Sequence, residues 1–298
     1  MKYLNEKTEG LITVHDLKRT SVKVGYTLMF VFLVILAFIC LLPIIWVALS
    51  SLKTPAEMYK IPPTFFPEQI NIENIGNIVG KINFSKYFIN TLCIIVGAWL
   101  ADVIFSGLAG YVMSRIKPKG TPLLETVFFW SMLLPGISMA PLYMTFVDMP
   151  FFHINLTGSF IPIWMIAGCN AYHIMLFRNF FNSIPMDYIE AAKIDGCTSM
   201  GIFFKIILPL SKPIMVVVTI FSVIGSWSNF FWPYLILGAT DKEPISVLLY
   251  NISNSASINL QDNEVMMVAM LAIIPPMIVY AILSKYITGG INMSGIKG

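Results

Sequence analysis

Between Val24 and Leu52 the chain runs for 29 residues without a charged side chain. A helix needs roughly 20 apolar residues to cross the hydrocarbon core of a bilayer, and backbone groups left unpaired in lipid exclude open irregular structure there. A run of this length therefore predicts a membrane helix. It also exceeds the roughly 7 to 15 apolar residues of a signal-peptide core, so it is expected to remain as an anchor, although the first 23 residues carry five Lys or Arg. Five more apolar blocks follow, which places six predicted spans at about 25–50, 87–114, 126–147, 155–177, 213–239 and 265–285. The expected fold class is all-α, a polytopic membrane helical bundle with six transmembrane helices. Pro43, Pro135, Pro141, Pro162, Pro233, Pro275 and Pro276 fall inside these blocks and predict kinks whose freed carbonyls need other partners.

The composition agrees, at 57% hydrophobic and 12% charged with a formal net charge of +3. A soluble domain carries about one quarter charged residues. The scattered positive residues exclude a nucleic-acid footprint. Cys40, Cys93, Cys169 and Cys197 lie in or beside apolar blocks without CxxC or a His cluster at metal-ligand spacing, which predicts packing residues and no metal site. Lys and Arg in the flanks set orientation. With the N-terminus inside, fourteen lie on cytoplasmic flanks and five outside. Both termini are therefore expected in the cytoplasm, with residues 1–24 as an N-terminal segment and the segment 178–212 on the same side.

That segment contains "EAAKIDGCTSMGIFFKIILPLSKP", Glu190 to Pro213. Asp187 followed by Glu190 has the form of a helix capping box. The spacing predicts a helix from about Tyr188 to Asp195 closed at Gly196, then a second helix capped by Thr198 and ended at Pro209. Ala191, Ala192, Ile194, Phe203 and Phe204 are too many apolar residues for a solvated loop. An amphipathic helix on the lipid surface would carry a Lys/Arg-rich polar face. Here Glu190 and Asp195 accompany the single Lys193, so docking into a groove of a soluble partner is the favoured of the two readings.

Glu190, Ala191, Ala192, Asp195, Gly196, Leu208 and Pro209, in this order and spacing, resemble the EAA motif of permease subunits of bacterial ABC importers. "IPPTFFPEQINIENIG" before "YFINTL", the exit "AGYVMSRIKPKG", "LLPGISMAPLYMTF", "WSNFFWPYLIL" and the ending "YITGGINMSGIKG" are similar to the carbohydrate-type permeases, the group of the smaller six-span maltose permease subunit. The likeness runs from about residue 25 to residue 298, which makes 25–298 the expected transmembrane domain. Cys197 stands where that family most often has alanine. The resemblance implies a type I importer fold in a bacterial cytoplasmic membrane. It implies a heterodimer with a second permease subunit, two ATP-binding subunits that carry ATP and Mg, and an external sugar-binding protein. The EAA segment would be the coupling helix. No cofactor is expected on this chain, since "GINMSGIKG" fails as a phosphate loop, and ATP hydrolysis is expected on the partners.

A saccharide offers apolar ring faces and many hydroxyls, so its path calls for aromatic faces beside amides or hydroxyls. Trp227, Asn229, Phe230, Tyr172, Asn170 and Tyr143 are the candidates, whereas Trp232 and Tyr234 suit the interfacial belt. Asp102 is the only acidic residue well inside a span. Such residues are functional suspects, but with no second charge predicted beside it a polar contact in the bundle or with the partner permease is favoured over a proton relay. His173 is read as packed or hydrogen-bonded, and residues 245–264 as an external segment able to touch the binding protein or its sugar. An ABC permease for another solute and an ion-coupled secondary transporter are the alternatives; the latter would need paired buried charges.

Overall fold

In the computed structural model, residues 20–134, 136, 138–254 and 260–291 are described. All their regular elements are helices. The expectations for residues 1–19, for Pro135 and for the tail 292–298 fall outside the described residues, as do 255–259 of the external segment. Residues up to Ile72 with Asp262–Met270 form one compact unit, and Glu73–Gln261 with the chain from Leu271 onward form the other.

In the first unit, helix α1 (Thr20–Ser51) is apolar on every side and exposes Leu28, Phe32 and Ile39 along its length. A helix with no polar face seeks lipid or another apolar surface. Its only fully buried residues are Ser50 and Ser51 at the end. Beyond it the chain folds on a buried lysine: Lys53 is 2% exposed, donates through Nζ to the Thr64 carbonyl, and lies 4.6 Å from the Trp46 ring centroid. Glu57 accepts from Thr64 Oγ1 at 2.7 Å and from the Glu68 N–H at 3.0 Å. The Thr64 hydroxyl foremost holds the Glu57 carboxyl below its ordinary value; burial opposes this, while Glu68 N–H, Lys53 and Lys60 assist. Asn263 Nδ2 donates to the Lys53 carbonyl at 3.1 Å.

In the second unit, α2 spans Phe84–Ile116, 33 residues. It widens into π-helical turns at Asp102–Ser106 and Val112–Ile116. The next three apolar blocks are each broken into two helices: α3 (Thr121–Leu133) and α4 (Met139–Val147), α5 (Ile161–Gly168) and α6 (Ala171–Ser183), and, beyond the segment 187–210, α9 (Lys212–Ser228) and α10 (Phe231–Leu237). That segment holds α7 (Asp187–Ile194) and α8 (Ser199–Leu210), the latter meeting α9 at 77°. Helices α11 (Ile245–Asn254) and α12 (Asp262–Ile291) close the described chain, α12 with Pro275 and Pro276 inside it. Among the described residues, α1, α2 and α12 are each long and apolar enough to span a membrane unbroken, and α8 with α9 qualifies as a bent pair.

Lipid is as apolar as leucine, so helices in it hold together by close packing and hydrogen bonds rather than by transfer from water. Gly110 supplies the close approach of α2 to α6: a Cβ there would sit 2.7 Å from Phe177 Cβ and 2.9 Å from the Arg178 nitrogen. Around this contact Tyr111, Phe177, Phe181, Ile189, Phe203 and Ile207 form one buried cluster. Arg115 donates to the carbonyls of Phe181 and Ile184 at the end of α6, where helix carbonyls lack intrahelical donors of their own turn. Toward the other end, Asn90 Nδ2 holds the Asp241 and Glu243 carbonyls at 3.1 and 3.0 Å, and Thr91 Oγ1 accepts from Ile245 N. The segment 245–264, read from the sequence as an external contact segment, begins as α11, with Ile245, Val247, Leu248 and Ile252 buried. Three cysteines, Cys40, Cys93 and Cys169, lie on the chain's surface rather than in its core, and Cys197 packs partly against the buried cluster.

Candidate functional site

The segment 186–211 folds as a helix, a turn and a second helix. Its first cap differs from the expected one. Met186 holds the cap position and its carbonyl accepts from Ile189 N and Glu190 N at 2.8 and 2.9 Å, while Asp187 is already the first helical residue. A carboxylate there still favours the helix N-terminus through its dipole. The turn at Gly196 has φ +77°, with its N–H donating to the Lys193 carbonyl at 3.0 Å. Only glycine occupies that conformation without a Cβ penalty. Thr198 caps α8 as expected, accepting from Gly201 N at 3.1 Å.

Pro209 does not end α8. The helix opens into a π-helical turn at Phe203–Ile207, passes through Leu208 and Pro209, and stops at Leu210. The wide turn accommodates the missing proline N–H, and at the helix end Ser211 Oγ donates to the Ile207 carbonyl at 2.5 Å. The bend to α9 follows at Ser211.

This elbow separates the EAA residues by role. Ala192 is 5% exposed and, with Ile189, Ile202, Phe203 and Ile207, belongs to the chain's own buried cluster. Glu190, Ala191, Lys193, Asp195 and Gly196 are exposed, beside Tyr188 at 55% and Ile194 at 86%. The buried face fixes the elbow to α2, α6 and α9. The exposed face is a small, mixed surface with an apolar tip.

Deeper in the bundle a second feature assembles. Two breaks carry an asparagine of the same design: Asn170 Oδ1 accepts from His173 N at 3.2 Å as the cap of α6, and Asn229 Oδ1 accepts from Trp232 N at 3.4 Å across the break before α10. Both line one cavity of about 170 Å³, together with Ser222, Ser226, Phe221 and Trp232. Asp102, from the first π-helical turn of α2, and His173 lie in its wall. Asp102 is 1% exposed and His173 5%. His173 Nδ1 stands 2.7 Å from Asp102 Oδ2, and Ser106 Oγ donates to Asp102 Oδ1 at 2.9 Å. Asp102 therefore does have a buried titratable companion, from a residue 71 positions away.

Of the six expected path residues, Asn170 and Asn229 line this cavity. Trp227 packs on Phe88, with ring centroids 6.4 Å apart. Phe230 stacks with Tyr234 and Tyr250 at 5.2 and 4.8 Å. Tyr172 is 45% exposed and meets Phe221 edge-on at 6.2 Å, while Tyr143 is half-buried outside the lining. Trp232, assigned to the interfacial belt, lines the cavity instead and packs on Phe146 at 6.3 Å. Ser222 and Ser226 were not among the expected residues. A signal existed: Ser222, Gly225, Ser226 and Asn229 form a small and polar stripe at i, i+3, i+4 and i+7 along an otherwise apolar helix.

Residues 103–292 match the model of the binding-protein-dependent transport system inner membrane component family. The chain belongs to that family. It is 28% identical to a polygalacturonan/rhamnogalacturonan transport system permease of Bacillus subtilis, covering 91% of this chain and 97% of the relative. To a diacetylchitobiose uptake system permease of Streptomyces coelicolor it is 25% identical, over 89% of this chain and 87% of that one. Among solved structures it is similar to a bacterial ABC transporter involved in the import of the acidic polysaccharide alginate. There the TM-score is 0.81 and the identity 26%, over 90% of this chain and 98% of the other. The chain is thus an ABC importer permease subunit of the inner membrane, built as the helical bundle its apolar blocks imply.

Proposed function

We propose that this subunit serves an ATP-driven, binding-protein-dependent oligosaccharide importer and forms half of its translocation path with a second permease subunit. Six crossings with both termini in the cytoplasm put the elbow on the face where two ATP-binding subunits, carrying ATP and Mg, would dock. The N-terminal segment 1–24 precedes the transmembrane domain 25–298. ATP hydrolysis belongs to the partners, and a loaded external binding protein delivers the sugar.

The observation that carries this reading is the exposed tip Glu190, Ala191, Ile194 and Asp195, held by Gly196 on one side and by its own buried cluster on the other. A rigid elbow whose inner face is locked into α2, α6 and α9 transmits a push on its outer face to the helices that line the cavity. Leu208 and Pro209 carry that connection to the bend at Ser211. Saccharide hydroxyls match the amides and hydroxyls of Asn170, Asn229, Ser222 and Ser226, and Trp232 offers a ring face.

The test is uptake by cells expressing Gly196→Pro or Glu190→Lys. Proline fixes φ near −65° and lacks the N–H given to Lys193, so uptake is lost while the protein stays in the membrane; unchanged uptake in both variants removes the docking role. One observation favours a second reading. The Asp102 and His173 contact brings together two buried titratable groups, as an ion-coupled carrier requires. Uptake in vesicles that survives collapse of the ion gradients but not ATP depletion rejects it.

A further inference from the structure

The relatives divide between importers named for acidic polymers and importers named for neutral sugars, and the cavity bears on that choice. Resting on the oligosaccharide reading above, we propose that this chain carries a saccharide subsite of its own in the cavity and that Asp102 with His173 makes it selective for neutral sugars over uronates.

The argument begins with charge. None of the residues lining the cavity is Lys or Arg, and its titratable groups are Asp102 and His173. With Asp102 ionised, the cavity carries one negative charge beside a neutral His173 and none beside a protonated one. In neither state is there an uncommitted cation for a uronate carboxylate, because a protonated His173 is already paired with Asp102 Oδ2. Moving an unpaired carboxylate into such a site costs far more than moving a hydroxyl, and Asp102 adds repulsion that low dielectric strengthens.

Hydrogen bonding points the same way. His173 Nδ1 is engaged by Asp102 Oδ2 at 2.7 Å, which in the neutral ring fixes the proton on Nδ1 and leaves Nε2 as an acceptor. Among the described residues Nε2 has no partner. Asn170 and Asn229 spend Oδ1 on their helix breaks, and among the described residues their Nδ2 groups have no acceptor. The wall therefore offers acceptors and donors to a group that is both, as a sugar hydroxyl is. Helix breaks at membrane depth persist where they line a binding cavity.

The test uses the complete permease and ATPase complex in detergent, with and without its binding protein. Without it, saturation binding is measured for neutral di- and trisaccharides (glucose, arabinose, galactose and N-acetylglucosamine types) and for galacturonate and mannuronate oligomers of equal length. At least one neutral sugar binds, and every uronate binds at least about tenfold more weakly. Ser226→Lys narrows or inverts that ratio, and His173→Gln weakens neutral binding about tenfold. Uronates binding as well as neutral sugars overturn the selectivity. No saccharide binding at all overturns the subsite, even where uptake with the binding protein still delivers sugar and leaves the importer reading intact. Uptake of no sugar by the full assembly overturns both.

Discussion

The elbow and the cavity are built on opposite plans. The elbow hides apolar side chains, Ile189, Phe203 and Ile207, and turns Glu190, Lys193 and Asp195 outward, as a water-facing segment does. The cavity hides Asp102 and His173 within apolar helices and, among the described residues, gives their side chains each other and Ser106 as polar partners. The first arrangement tolerates changes on its outer face. The second tolerates few, because a buried polar group that loses its partner there keeps the cost of its burial. The two lie at opposite ends of α6, whose N-terminus is capped beside the cavity and whose C-terminus is gripped by Arg115 next to the elbow.

That contrast breaks most readily at the buried pair. Removing one partner strands the other, so Asp102→Ala or His173→Ala should each cost about 3 kcal/mol. The double variant should cost clearly less than the sum. Thermal unfolding of the solubilised complex reads both, and strict additivity would show that the two side chains do not interact. Next comes the contact that joins the regions. Gly110→Leu must push α2 from α6 and should cost about 1–3 kcal/mol, seen as lower yield and melting temperature, with Gly110→Ala smaller. Thr198→Ala removes only the cap of α8 and should cost about 1 kcal/mol. The smallest change in stability belongs to the elbow tip: Ile194→Ser should fall within about 0.5 kcal/mol of the parent, yet lower uptake several-fold. Full uptake by that variant would mean that the exposed tip touches nothing.

Much of the elbow was legible because its signals are local. Gly196 at a helix end, Thr198 before a helix and an apolar face at helical spacing act within a few residues of themselves. The misplaced cap at Asp187 and the passage through Pro209 are one-turn errors of the same local kind: Met186 supplied a carbonyl where a side chain was expected, and a wide turn with Ser211 absorbed the proline. The breaks at Asn170 and Asn229 were harder, since in both cases the apolar run continues across the interruption and hydropathy averages over it.

The sequence by itself determined that this chain lies in a membrane as helices, where along the chain its elbow falls, and which residues shape that elbow, because apolar length and turn chemistry need no distant partner. Only the tertiary structure decided that Asp102 meets His173, that Trp232 rather than Trp227 faces the cavity, and that Ala192 looks inward while Ala191 looks out. Those facts depend on how helices far apart in the chain rotate and approach one another, and that is set by packing at contacts such as Gly110 against Phe177, which no single stretch of sequence contains.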